Sequence, residues 1–168
     1  MIERESAEQF TFRRATDGDV ATIVEFNLQL ALETEGKVLN PETMQQGVSR
    51  GIKQFPEAQY FLAECGRQLV GQLMFTREWS DWRNGWMLWL QSVYVRQGFR
   101  GRGVFRNLLD SALAVVNKDG GAVGLRLYVE KDNEPAIAAY ERLQFKDTGY
   151  RILETVPFAD EVQALRTL

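Results

Sequence analysis

The run Val93-Tyr94-Val95-Arg96-Gln97-Gly98-Phe99-Arg100-Gly101-Arg102-Gly103-Val104-Phe105-Arg106-Asn107-Leu108-Leu109 constrains this chain more than any other segment. It reads as a strand, a loop rich in glycine and arginine, and the first turns of an apolar helix. That order builds an anion site. Glycine lets backbone N–H groups approach a ligand closely. A helix start adds donors with no intrahelical acceptor and a dipole end worth roughly half a positive charge. Arg100, Arg102 and Arg106 place three cations within seven positions. The expected occupant is a phosphate-bearing cofactor.

Composition narrows the remaining possibilities. At 168 residues and 45% hydrophobic, the chain has the length of one ordinary domain and enough apolar mass for a core, so residues 1–168 are read as a single domain. Its net charge of -3 argues against a nucleic-acid partner, which would want a basic face. No apolar stretch reaches the ~18 residues of a membrane span, and the opening residues lack the apolar core of a signal peptide. A cytoplasmic location with no membrane partner is expected. With no histidine, a Ser-His triad and His-ligated metal drop out. With Cys65 alone, so do intrachain disulfides and cysteine-cluster metals, and no metal site is expected. Cys65 lies in an apolar strand pattern and reads as a small packed residue. Acid–base chemistry is left to carboxylates, tyrosine, lysine or water.

The periodicities order the elements. Phe10–Arg14 reads as a strand, and Thr16-Asp17-Gly18-Asp19 as a helix start with its acid three residues on. Val20, Ile23, Val24, Asn27, Leu28 and Ala31 follow helical spacing, which breaks over Glu33–Asn40. Asn40-Pro41-Glu42 starts a second helix. Strands are predicted at Tyr60–Cys65, Leu69–Arg77 and Trp86–Val95, then a helix from Val104 that Asp119-Gly120-Gly121 stops. A strand over Ala122–Glu130, a helix from Asn133 to about Leu143, one or two closing strands over Gln144–Val156 and a short tail helix complete the chain. This is mixed α/β, mostly antiparallel in its first half, with a βαβ-like crossover in its second.

The glycine loop lacks the Gly-Lys-Ser/Thr ending of a Walker A loop. A dinucleotide fingerprint fits Gly101 and Gly103 but meets arginine at 106, and the loop follows a late strand rather than the first. What remains is a pyrophosphate cradle of another kind. Here the chain resembles the GCN5-related N-acetyltransferase (GNAT) superfamily, whose acetyl-CoA loop reads Gln/Arg-x-x-Gly-x-Gly/Ala. Arg100 and Gly103 match, and Phe105 stands where glycine or alanine is usual. A second motif agrees: Asn133, Ala136, Tyr140 and Phe145 match the family's later helix, while Gln144 replaces its usual glycine and calls for a different helix cap. The resemblance spans about Phe10 to Val156, with residues 157–168 as a tail.

The resemblance implies a GNAT fold, a mostly antiparallel mixed sheet with a splayed strand pair and flanking helices. It implies acetyl transfer from acetyl-CoA (coenzyme A as cosubstrate) to a primary amine by direct attack. The strand ending at Val95 would splay from Leu125–Glu130 and offer the backbone of Val93, Tyr94 and Val95 to the pantetheine arm and thioester carbonyl. Arg100, Gly101, Arg102, Gly103, Val104, Phe105 and Arg106 would hold the pyrophosphate, with Arg102 and Arg106 equally readable as solvated helix-face arginines. Asn133 and Ala136 would border the cofactor arm, Asn133 also reading as a helix N-cap. Tyr140 would be the general acid, donating to a departing thiolate.

The base and the acceptor are less determined. The segment Trp82–Val95 is similar to spermidine/spermine and thialysine acetyltransferases, but Gln91 and Ser92 stand where those enzymes carry acidic residues, so a polyamine acceptor does not carry over. Glu33 and Glu78 are the first candidates for a base, each also readable as a solvated carboxylate; water can take the proton instead. Trp86 and Trp89, three apart on a strand, should face opposite sides. A small-molecule amine is the expected acceptor. The tryptophans and the resemblance are compatible with a homodimer. The rival readings are a non-catalytic acyl-CoA sensor and an acetyltransferase of protein N-termini or lysines.

Overall fold

The computed structural model describes residues 9–118 and 121–154. These fall into two compact units, one ending at Lys131 and one beginning at Asp132.

In the first unit, strand β1 (Phe10–Arg14) leads through a single 3-10 turn at Asp17–Asp19 into helix α1 (Val20–Glu35). The turn is fastened by Asp19, which is buried. Its carboxylate accepts Nη1 and Nη2 of the Arg13 guanidinium, each at 2.8 Å, the Thr16 amide at 2.7 Å and the Thr16 hydroxyl at 2.9 Å. The Arg13 hydrogen bonds, helped by those of Thr16, hold the Asp19 carboxyl down at about 2. Helix α1 buries Ile23 and Phe26 and runs further than its apolar spacing indicates. Glu33, expected in a break between helices, lies in its last turns. The stop is Gly36, left-handed at φ +63°, whose N–H bonds the Leu32 carbonyl at 3.1 Å. Helix α2 (Pro41–Lys53) starts as expected, with Asn40 accepting the Thr43 amide at 2.9 Å.

Strands β2 (Ala58–Cys65), β3 (Gln68–Ser80) and β4 (Gly85–Val95) follow, then helix α3 (Val104–Lys118) and strand β5 (Ala122–Arg126). The sheet order is β1-β2-β3-β4-β5. Its first three pairings are antiparallel and the last is parallel. Alternation divides the faces. Tyr60, Leu62 and Met74 pack with Ile23, Val48, Met44 and Ile52 of α1 and α2. On the other face Phe61 meets Phe75 edge to face at 5.8 Å, and α3 buries Val104, Leu108 and Ala112.

The β4–β5 ladder begins at Trp86↔Ala122 and ends at Trp89↔Arg126, while β4 continues to Val95. The strand pair therefore parts at that point. For the same reason β5 is shorter than the predicted Ala122–Glu130: beyond Arg126 its backbone has no strand to pair with. The closing strands expected over Gln144–Val156 are absent from residues 144–154; residues 155–156 and the expected tail helix lie outside the described residues. No helix among the described residues is long and apolar enough to cross a membrane.

The second unit holds helix α4 (Glu134–Arg142), with Asn133 as its N-cap accepting the Ala136 amide at 3.2 Å. Its C-terminus corrects an expectation. Gln144 does not force a different cap; it adopts the glycine conformation itself, at φ +68°. The Phe145 amide bonds the Tyr140 carbonyl at 3.1 Å and the Gln144 amide bonds Glu141 at 2.9 Å. The Tyr140 and Phe145 rings close the motif at 5.7 Å. That is a Schellman cap carried by a residue with a Cβ. Left-handed backbone costs an L-residue about 1–2 kcal/mol, part of which glycine returns as unfolded-state entropy. Gln144→Gly is expected to raise stability by about 1 kcal/mol, read as a higher urea midpoint with unchanged slope.

Candidate functional site

Beyond its last pairing with β5, β4 carries a bulge. Gln72 pairs with Tyr94 but Met74 with Gln91, so Ser92 and Val93 together face one residue of β3. Ser92 takes φ +49°, a left-handed value. A buried amide network holds it there. Gln72, fully buried, donates through Nε2 to the Ser92 carbonyl at 3.1 Å and to Asn27 Oδ1 of α1 at 2.7 Å. A bulge leaves its extra residue out of the ladder and redirects the local backbone. Backbone groups at Ser92–Val93 are thus freed on the stretch where β4 has no β5 beside it.

Past Val95 the chain makes a 3-10 turn at Gln97–Phe99 and enters the glycine loop. Gly101 and Gly103 sit at φ +75° and +77°. A Cβ on Gly101 would meet no atom within 4 Å, so the space over the loop is open on that side. The first backbone bond of α3 runs from the Asn107 amide to the Gly103 carbonyl at 3.0 Å. The amides of Val104, Phe105 and Arg106 precede it and have no intrahelical acceptor. Val104 is buried and pins the helix start, Phe105 is half-buried, and Arg106 is exposed. The Arg102 guanidinium lies over the Phe99 ring at 5.4 Å. Open left-handed glycines followed by a helix start fit a pyrophosphate, and the unpaired edge of β4 fits an extended amide-bearing arm such as pantetheine.

Arg100, the first motif residue, is held from three sides. Its Nε donates to the Val95 carbonyl at 2.8 Å and its Nη2 to Glu33 Oε2 at 2.6 Å. Its guanidinium lies 5.5 Å from the Tyr94 ring centroid. Tyr94 donates to Glu33 Oε1 at 3.2 Å. Burial, and then the Glu33 charge, push the Tyr94 phenol up. The structure therefore places Glu33 beside the loop and β4, with both carboxylate oxygens accepting.

Glu78 stands elsewhere, at the fork between β4 and β5. Its Oε2 accepts the Trp89 indole N–H at 2.7 Å and its Oε1 the Arg126 guanidinium at 2.8 Å. Tyr128, just past β5, reaches back across the fork. Its ring lies 5.9 Å from Trp89 and its hydroxyl donates to Gln91 Oε1 at 3.4 Å. Gln91 in turn donates to Thr76 Oγ1 at 2.6 Å. Trp86 faces the other side of the sheet, against Trp79 at 5.2 Å and under the Arg77 guanidinium at 4.2 Å. In the second unit, burial pushes the Tyr140 phenol up.

Sequence reasoning missed Asn27, Gln72, Thr76, Arg126 and Tyr128. Asn27 and Gln72 left a signal: each is an amide inside an apolar pattern, and a buried amide must find partners. Thr76, Arg126 and Tyr128 left none, since their contacts depend on how the strands align. No group of three or more Cys, Asp or Glu side chains among the described residues is arranged to hold a metal ion.

Comparison with known proteins agrees with this geometry. Residues 25–145 match the model of the acetyltransferase (GNAT) family. An N-alpha-acetyltransferase of Saccharolobus solfataricus is 27% identical over 155 residues, covering 87% of this chain and 86% of that protein. A mycothiol acetyltransferase of Corynebacterium aurimucosum is 48% identical over 54 residues, which span 32% of this chain and 17% of that protein. The crystal structure of a possible acetyltransferase from Clostridium difficile superposes with a TM-score of 0.80 at 40% identity, covering 90% of this chain and 99% of that one. A predicted acetyltransferase from Clostridium acetobutylicum, solved with acetyl-CoA, shares the fold at a TM-score of 0.72 and 15% identity, covering 88% and 97%. The matched family model, the 40% identical structure and the forked sheet with its glycine loop lead to one conclusion: this chain belongs to the GNAT family of acetyl-CoA-dependent N-acetyltransferases.

Proposed function

We propose that the protein acetylates the primary amine of a small molecule by direct attack on acetyl-CoA. The observation that carries this reading is the fork: β4 loses β5 after Trp89, bulges at Ser92 and runs straight into the left-handed glycines and the α3 start. The thioester would lie along the freed stretch of β4, with backbone N–H at Val93–Val95 polarising its carbonyl. Arg100 through Arg106 would hold the pyrophosphate. In the second unit, Asn133 and Ala136 would border the cofactor arm and Tyr140 would protonate the departing thiolate.

The acceptor reading rests on the other wall of the fork. Trp89 and Tyr128 place aromatic rings beside the carboxylate of Glu78, where the Arg126 guanidinium already lies over the Trp89 ring at 5.8 Å and pairs with Glu78, a chemistry that accommodates cations. An amine near pKa ~10 arrives protonated and must lose a proton before attack. Glu78 is the carboxylate on that wall and is, with Glu33, a candidate base; each has both oxygens engaged, Glu78 by Trp89 and Arg126 and Glu33 by Tyr94 and Arg100. Water ordered by Gln91 and Ser92 is the alternative acceptor. A second reading, acetylation of protein N-termini, is favoured by the similarity to the Saccharolobus solfataricus N-alpha-acetyltransferase.

The test is release of CoA from acetyl-CoA across a panel of small primary amines and short peptides with free N-termini. Turnover with small amines and none with peptides is expected. Turnover confined to peptides would establish the second reading. Thermal stabilisation by acetyl-CoA with no turnover on any acceptor would make the protein an acyl-CoA sensor instead.

A further inference from the structure

Two acid–arginine pairs tie α1 to the donor strand and loop. Glu25 accepts Arg96 at 2.9 Å, and Glu33, two helical turns later, accepts Arg100. Between them the ring of Phe26 lies 5.1 Å from Tyr94 and beneath the Arg96 guanidinium at 4.8 Å. Arg96 itself is locked to β3 through the Leu69 carbonyl at 2.9 Å. Arg100 has no such anchor in β3. Its tether is Glu33, together with the carbonyl of Val95 at the end of its own strand.

We infer that Glu33 is a positioning residue for the acetyl-CoA loop: it fixes Arg100 and Tyr94 at once, and through them the direction in which β4 enters the glycine turn. The inference rests on the acetyl-CoA reading of that loop and assigns Glu33 a role other than proton acceptor. Three features support it. Both Glu33 oxygens are already taken, one by a cation and one by a hydroxyl. The Nη2–Oε2 contact is short, at 2.6 Å, so although both side chains are exposed, at 46% for Arg100 and 37% for Glu33, it fixes where the guanidinium points rather than adding much Coulomb energy. The guanidinium also covers the Tyr94 ring, so losing Glu33 releases a cation, a hydroxyl and a ring face together.

Glu33 neutralises part of the positive charge an anion would seek, so removing it could in principle strengthen binding by freeing Arg100. The two effects have opposite signs, and this makes the inference testable. A positioning role predicts weaker binding without Glu33, because the loop must then be ordered at the expense of binding energy.

The experiment is direct titration of acetyl-CoA into wild type, Glu33→Ala, Arg100→Ala and the double variant, by calorimetry and without acceptor. Glu33→Ala should weaken the Kd about tenfold. The losses in the double variant should be less than additive, because much of what Glu33 does passes through Arg100. Glu33→Gln keeps the length and one acceptor oxygen, so it should recover most of the affinity; it replaces the alanine variant in the cycle if that one does not fold. An unchanged or tighter Kd in Glu33→Ala, or additive losses in the double variant, would overturn the inference. So would a collapse of turnover in Glu33→Gln at unchanged Kd, which is the behaviour of a base. Failure of the wild type to bind acetyl-CoA would instead strike the reading of the loop itself.

Discussion

Tyr140→Phe is expected to lower kcat by about 10²-fold, at the lower end of what a general acid contributes. The phenol is suited to the task because burial raises its pKa, so it keeps its proton throughout the neutral range. A thiolate whose conjugate acid lies near ~8.5 is a poor leaving group unless it is protonated as it departs, and a phenol near or above ~10 holds a proton ready for it. The sign of the pH effect follows. Activity should be flat on the alkaline side until the raised phenol pKa is passed and fall beyond it, as the acid is lost. Phenylalanine keeps the ring against Phe145 and the cap of α4, so the variant should fold. It should also lose the alkaline limb of the pH–kcat profile. Turnover equal to wild type, or an alkaline limb that survives the substitution, would remove Tyr140 from the chemistry.

Gly101→Ala combined with Gly103→Ala should weaken acetyl-CoA binding by about 10²-fold. Each position is left-handed, where an L-residue is about 1–2 kcal/mol less favourable, and each 1.4 kcal/mol is a factor of ten in affinity. The loss comes from the backbone rather than from crowding, since the added Cβ at Gly103 meets its nearest neighbour, Asn107 Nδ2, at an ordinary 3.6 Å. Gly98 supplies the control. It lies in the 3-10 turn just before the loop, its backbone is not left-handed, and a Cβ there touches nothing within 4 Å. Gly98→Ala should bind acetyl-CoA like the wild type. Titrating the cofactor into both variants checks the contrast; equal affinities would mean that the glycines do not set the binding geometry.

Much of the fold was legible because its signals are local. The apolar spacing of Val104, Leu108, Leu109 and Ala112 defines α3, and Asn40-Pro41 and Asn133-Glu134-Pro135 mark helix starts that cap as written. Errors fell where a local signal and its element ended at different residues. Helix α1 outlasts its apolar spacing to Glu35, because Glu33 is held by Arg100, 67 residues away, and Gly36 provides the stop. Strand β5 is shorter than its composition suggests, because a strand persists only where another strand pairs with it. Gln144 was misjudged in the other direction: hydrogen bonds from its own amide and that of Phe145 outweigh the penalty on its backbone.

The candidate site divides along the same line. The sequence alone determined the elements of the proposed donor side, since the glycine loop, the strand before it and the helix after it are contiguous and the chemistry proposed for them lies in backbone amides. Tertiary structure decided the rest. The bulge at Ser92 depends on an amide from β3 and another from α1, the fork depends on where β5 stops pairing, and the partners of Glu33 and Glu78 come from strands and loops distant in the chain. Backbone recognition is specified by local conformation, whereas the environment of a carboxylate is set by whichever charges the fold brings within a few ångströms, and no spacing in the chain encodes that.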